Sequence, residues 1–111
     1  MGARSRRKGH QYERDLCHRL HDELGLDTKR SIQTRGAASE GCDVEGVPGT
    51  WVEVKCGKQP NPRAALKQAQ RDTDGRRCVA IVKDNGAGSR PPFEFVVMSL
   101  DDWIWLLRES L

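Results

Sequence analysis

No stretch of this chain comes near the roughly 18 uninterrupted apolar residues that a membrane-crossing helix needs. A helical transmembrane protein is excluded, and no membrane partner is expected. The opening residues, MGARSRRKGHQYERD, are basic but lack the apolar segment of a secretory signal, so a cytoplasmic, reducing setting is the expectation. Cys17, Cys42, Cys56 and Cys78 form no CxxC pair and no regular spacing. That argues against a structural zinc site or a disulfide framework and leaves four ordinary half-buried thiols. Internal repeats and low-complexity tracts are also missing, and Gly36-Ala37-Ala38 lacks the GK[ST] continuation of a phosphate loop. No nucleotide cofactor is expected. What remains is a chain of 111 residues, 36% of them apolar, enough for one core and one domain spanning 1–111, with residues 1–7 read as a basic, flexible arm.

Charge is the first positive signal. The net value of +3 is modest, but its distribution is uneven. Residues 1–8 carry Arg4, Arg6, Arg7 and Lys8 with no acid. From Gly36 to Val54 the charges are Glu40, Asp43, Glu45 and Glu53 with no Lys or Arg, and from Lys55 to Arg71 they are Lys55, Lys58, Arg63, Lys67 and Arg71 with no acid. An acidic island between basic segments suits a metal-dependent enzyme acting on a polyanion, because the metal takes carboxylates and the substrate backbone takes Lys and Arg. Equally, it could be a solvated surface whose signs cluster.

Periodicity supplies the element order. Lys8 to Leu24 is expected to be helical, with Tyr12, Leu16, Leu20 and Leu24 four apart and Gly25 as the stop. Strands are expected at 30–34, 42–47 and 50–55, the last two joined by the turn residues Gly46-Val47-Pro48-Gly49. Asn61-Pro62 opens a helix to about Thr73, and CVAIVK at 78–83 has the near-continuous apolar character of a central strand. After a loop at 84–92, a strand at 93–98 leads to a final helix capped by Ser99. An α/β fold follows, a mixed central sheet flanked by helices.

Two features of this pattern carry chemistry. At 100° per residue and with Glu13 at zero, Leu16 lies at about −60°, Cys17 at +40°, Leu20 at −20° and Leu24 at +20°, so Glu13 projects from the middle of the apolar stripe. A carboxylate there needs an ion-pair partner, a proton or a metal. On the strand from Thr50, alternation puts Glu53 and Lys55 on one face with Trp51, opposite Val52 and Val54. An exposed ion-paired face would explain this too. Asp43 sits ten residues before Glu53, however, and a hairpin would let the two converge. Two carboxylates with the carbonyl of Val54 would offer oxygen ligands to Mg²⁺, or to Mn²⁺ in its place. A lysine beside them suits phosphodiester hydrolysis, where an ammonium orients the attacking water and stabilises developing charge.

Asp43 followed by Glu53-Val54-Lys55 resembles the D…(D/E)xK signature of the PD-(D/E)xK nuclease superfamily, and the element order resembles its restriction-endonuclease-like αβββαβ core. Lys8, Gly9, Glu13-Arg14, Arg35, Ser39 and Gln68-Ala69 are similar to the archaeal-type Holliday junction resolvases and their phage-encoded relatives, over about residues 6–83. Cys42 stands where the superfamily name has proline. The resemblance implies metal ligation by Asp43 and Glu53, a metal or water role for Glu13, water activation by Lys55 and support by Gln68. It further implies that Ser39 lies on a loop reaching the scissile strand.

The expected function is a Mg²⁺-dependent endonuclease that resolves four-way junction DNA by paired cuts. The alternatives are a related small nuclease acting on flaps, ends or modified duplex, and a non-catalytic DNA-binding module. Arg4, Arg6, Arg7, Lys8, Arg35, Lys58, Arg63, Lys67 and Arg71 are the expected DNA contacts. His10, His18 and His21 read as a solvated helix face, with no further ligands evident for a metal. The final segment, LDDWIWLLRESL, has more apolar circumference than one sheet contact covers, so a homodimer is expected, as the resemblance also implies.

Overall fold

The computed structural model describes residues 3–31, 42–86 and 93–111, with backbone only at 3–7. Helix α1 (Ala3–Leu24) is followed by strands β1 (Lys29–Arg30), β2 (Val44–Glu45) and β3 (Thr50–Gly57). Helix α2 (Pro62–Asp72), strands β4 (Arg77–Asp84) and β5 (Phe93–Val97) and helix α3 (Leu100–Ser110) complete the chain. The strands form one mixed sheet in the order β1-β2-β3-β4-β5, antiparallel except for the parallel β3–β4 pair. That pair is the one joined through a helix, because parallel neighbours need a crossover long enough to return the chain to the same end of the sheet.

Local chemistry accounts for most element ends. The Asn61 side chain accepts from the Ala64 N–H at 3.0 Å, and Pro62 follows at the first helical position, where its missing N–H costs nothing. Ser99 caps α3 through the Asp102 N–H at 3.0 Å. Gly46, at φ 98°, turns the chain out of β2 while packed so closely on Asp27 that a Cβ would run into the Asp27 carbonyl oxygen.

The two sheet faces carry two cores. Tyr12, Leu16 and Cys17 of α1 pack on Val44, Val52 and Val54. On the other face Ala69 and Leu66 of α2 pack with Cys42, Trp51 and Cys78. β4 runs between β3 and β5 with Cys78, Ala80 and Val82 buried, as a central strand should.

Several boundaries differ from expectation. α1 starts at Ala3, so residues 3–7, expected as a flexible arm, are helical. Ala, Arg and Lys are good helix formers, and the single Gly9 costs only about 1 kcal/mol. Leu24, expected in the buried stripe, is 66% exposed, because it borders an open groove of about 350 Å³ between α1 and β5. β2 is two residues long, since the side chain of Asp43 takes over where backbone pairing stops. The strand expected at 30–34 is described as Lys29–Arg30 with Ser31 following it outside the strand, and positions 32–34, with most of the loop at 84–92, lie outside the described residues. All four cysteines are free thiols, and Cys17, Cys42 and Cys78 are buried. Among the described residues no helix is long and apolar enough to cross a membrane.

Candidate active site

The site forms just before β2 begins, beside the middle of β3. Val44 pairs with Val52, and the Asp43 N–H donates to the Val52 carbonyl at 2.8 Å. Backbone pairing would next require an acceptor for the Val54 N–H. The Asp43 carboxylate supplies it, Oδ2 accepting that N–H at 2.8 Å, while the Asp43 carbonyl accepts from the Ser31 N–H at 3.0 Å. Asp43 is thereby fixed in position by three hydrogen bonds to backbone. Its carboxylate also meets that of Glu53, a side chain buried to 6% exposure, and the two are linked by a hydrogen bond.

Two carboxyl groups this close cannot both ionise cheaply. Burial first and the Asp43 charge second raise Glu53 from 4.5, pushing it up to about 7, with the Lys55 ammonium acting in the opposite direction. Burial also raises Asp43, although the Val54 N–H and Lys55 favour its charged form. At neutral pH the pair is poised to hold one proton, with Glu53 as the donor. Lys55 is half-buried, two residues along β3 on the face that Glu53 occupies, so the expected alternation and the convergence of Asp43 with Glu53 are both present.

Glu13 comes close without joining the pair. Its charge interacts with that of Asp43, and burial raises its pKa, but its carboxylate accepts from Arg30 Nε at 2.9 Å. The ion-pair alternative for Glu13 is the arrangement found. Among the described residues, no group of three or more His, Cys, Asp and Glu side chains stands ready to hold a metal ion. The donors that do converge, two carboxylates with a shared proton, suit a hard divalent cation, whose charge would replace that proton. The Val54 carbonyl belongs to the same stretch of β3, and water would complete the coordination.

Two contributors escaped the sequence reading. Arg30, on the two-residue β1, partners Glu13 across the sheet end. His10, one helical turn before Glu13, lowers the Asp43 pKa through its charge. The i, i+3 spacing of His10 and Glu13 was the available signal, whereas His18 and His21 are exposed as expected.

Gln68 is half-buried on α2, the helix that covers the face carrying Glu53 and Lys55. Arg35 and Ser39 lie outside the described residues, as do the side chains of Arg4, Arg6 and Arg7. Lys8, Lys58, Arg63, Lys67 and Arg71 are exposed, and Arg63, Lys67 and Arg71 recur every four residues along one outer stripe of α2. The groove between α1 and β5 is lined by Leu16, Leu20, Ile81 and Val96, which places it on the α1 face and away from Glu53 and Lys55. Comparison with protein-family models, with curated proteins and with solved structures returned no match.

Proposed function

We propose that this protein is a divalent-metal-dependent DNA endonuclease with a restriction-endonuclease-like core, and that its substrate is the four-way junction. The observation that carries this is the Asp43–Glu53 carboxyl pair, pinned by the Val54 N–H, with Lys55 on the same strand face. Asp43, Glu53 and the Val54 carbonyl would hold Mg²⁺ or Mn²⁺, which when bound polarises a phosphate and acidifies a water. Lys55 orients that water and offsets charge on the phosphate. Glu13, tied to Arg30, acts on Asp43 from outside the ligand set. Gln68 supports the α2 side, and the stripe of Arg63, Lys67 and Arg71 follows the DNA backbone. The sequence offers few signs of a base-reading element, so selectivity comes from substrate shape and backbone charge.

One experiment separates this from its rivals: labelled four-way junction, flap, linear duplex and single strand, each with and without Mg²⁺. Cleavage of the junction at paired positions, only with metal, is expected. Preferential cutting of flaps, ends or modified duplex would identify a different small nuclease of the same chemistry. Binding without cleavage in Mg²⁺ and in Mn²⁺ would identify a DNA-binding module whose carboxylates serve only the fold.

A further inference from the structure

The two-residue strand β1 is held at both ends by the elements that carry the carboxyl groups. Ahead of it, the Thr28 hydroxyl donates to the Cys17 carbonyl of α1 at 2.7 Å. After it, the Ser31 N–H donates to the Asp43 carbonyl at 3.0 Å. Arg30 lies between these ties, directly across from Val44 in the antiparallel register. Partners of that kind send their side chains to the same face, and Val44 packs on Tyr12, Leu16 and Cys17. Arg30 is thereby aimed at α1, where its Nε donates to Glu13 Oε1 at 2.9 Å, the two side chains being 27% and 12% exposed. A fully exposed ion pair would be worth little, but here each charge is largely withdrawn from water and depends on the other. Glu13 stands between charges of opposite sign: Asp43 opposes its ionisation and Arg30 favours it.

We infer that Arg30 sets the metal count of the carboxyl site: by keeping Glu13 in an ion pair, it leaves Asp43 and Glu53 to hold a single divalent cation where three free carboxylates would hold two. The inference rests on the metal-site reading of the Asp43–Glu53 pair and adds to it a positioning residue outside the ligand set. Two-ion sites of hydrolytic enzymes need enough carboxylate charge to bring two cations within about 4 Å of each other. A third carboxylate within reach of Asp43 would supply that charge, and Arg30 cancels it. Among the described residues, no three acidic, His or Cys side chains form a ready ligand group, in keeping with Glu13 being engaged by Arg30. Arginine suits this task because its guanidinium stays charged at every working pH. Without it, Glu13 would be a part-buried anion beside a second one, and a proton or a cation must then offset it. Above the pH at which the Asp43–Glu53 pair releases its proton, a cation is the favoured answer.

The test counts Mn²⁺ bound per full chain at about pH 8 and ~0.1 M salt, by titration calorimetry and by electron paramagnetic resonance of the free ion. One ion per chain is expected for the wild type, and two for Arg30→Gln. Arg30→Lys, which keeps the charge, should bind one. So should Arg30→Gln combined with Glu13→Gln, in which the third carboxylate is gone. Glu13→Gln alone should keep one ion with less than about a tenfold loss of affinity, because Glu13 is not a ligand while Arg30 holds it. This last variant decides the outcome should Arg30→Gln fail to fold. Two ions on the wild type overturn the inference. So does a single ion on folded Arg30→Gln, two ions on the double variant, or loss of Mn²⁺ binding in Glu13→Gln. A wild type that binds no Mn²⁺ overturns the metal-site reading itself, whereas one ion on both the wild type and Arg30→Gln overturns only the role of Arg30. Cleavage of DNA does not enter the readout, so the junction proposal stands or falls separately.

Discussion

At the scale of single residues, the site is a competition between desolvation and charge. Glu53 is buried next to a second carboxyl, and its raised pKa has a defined consequence for stability. In metal-free buffer the folded state holds a proton that the unfolded chain releases near 4.5, up to a pH of about 7. Stability is therefore full below about 4.5 and falls as pH rises through 7, by on the order of 2–3 kcal/mol. Urea denaturation between pH 5 and 8 checks this, and Glu53→Gln should flatten the profile; a wild-type profile that rises over that range would contradict the shared proton. Mg²⁺ should raise stability more at pH 8 than at pH 5, since it competes with the proton. For catalysis, Asp43→Asn and Glu53→Gln should each lower junction cleavage at least about 100-fold while leaving junction affinity intact or improved, as phosphate repulsion falls. Lys55→Ala should lose cleavage similarly but keep its Mn²⁺ isotherm in titration calorimetry. Loss of metal binding in that variant would contradict a role in orienting water.

Among the elements, the β2–β3 hairpin determines whether the site exists. Its turn returns the chain so that Asp43 lies next to Val52 and reaches the Val54 N–H. Gly46 makes this possible by combining a positive φ with close contact on Asp27. Gly46→Ala faces both the left-handed backbone and a collision with a carbonyl oxygen that cannot move aside freely. A loss of about 2–4 kcal/mol is expected in urea unfolding. Gly49→Ala, with positive φ but open space around it, should cost only about 1 kcal/mol. Equal losses at the two positions would show that the contact with Asp27 contributes nothing.

For the whole molecule, the question is how the cations act together. Arg6, Arg7 and Lys8 lie in the first turns of α1, and Arg63, Lys67 and Arg71 line the outside of α2. If these contact phosphates, neutralising Arg6, Arg7 and Lys8 together should weaken binding to every DNA and reduce the salt slope by about 3, leaving the junction-to-duplex ratio nearly unchanged. Competition binding at several salt concentrations measures both quantities. A changed ratio with an unchanged slope would mean that these residues read shape rather than backbone charge.

Features governed by neighbours in the chain were legible in the sequence. Asn61-Pro62 and Ser99 mark helix starts because a cap bonds a backbone group three residues away, and alternation on β3 separates Glu53 and Lys55 from Val52 and Val54 because strand geometry has period two. Even the meeting of Asp43 and Glu53 followed from a hairpin only ten residues long. Contacts between distant segments were decided by the tertiary structure. Periodicity could put Glu13 on an inward face, but only the arrival of β1 selected Arg30 as its ion-pair partner, within electrostatic reach of Asp43. The apolar residues of α3 were countable in advance, whereas the side turned inward depended on where β4 sets Arg77, whose guanidinium lies 3.2 Å from the Trp105 ring centroid. Leu24 continued a perfect four-residue spacing and still ended at an open groove, because spacing specifies a direction around a helix and cannot specify whether another element lies there to cover it.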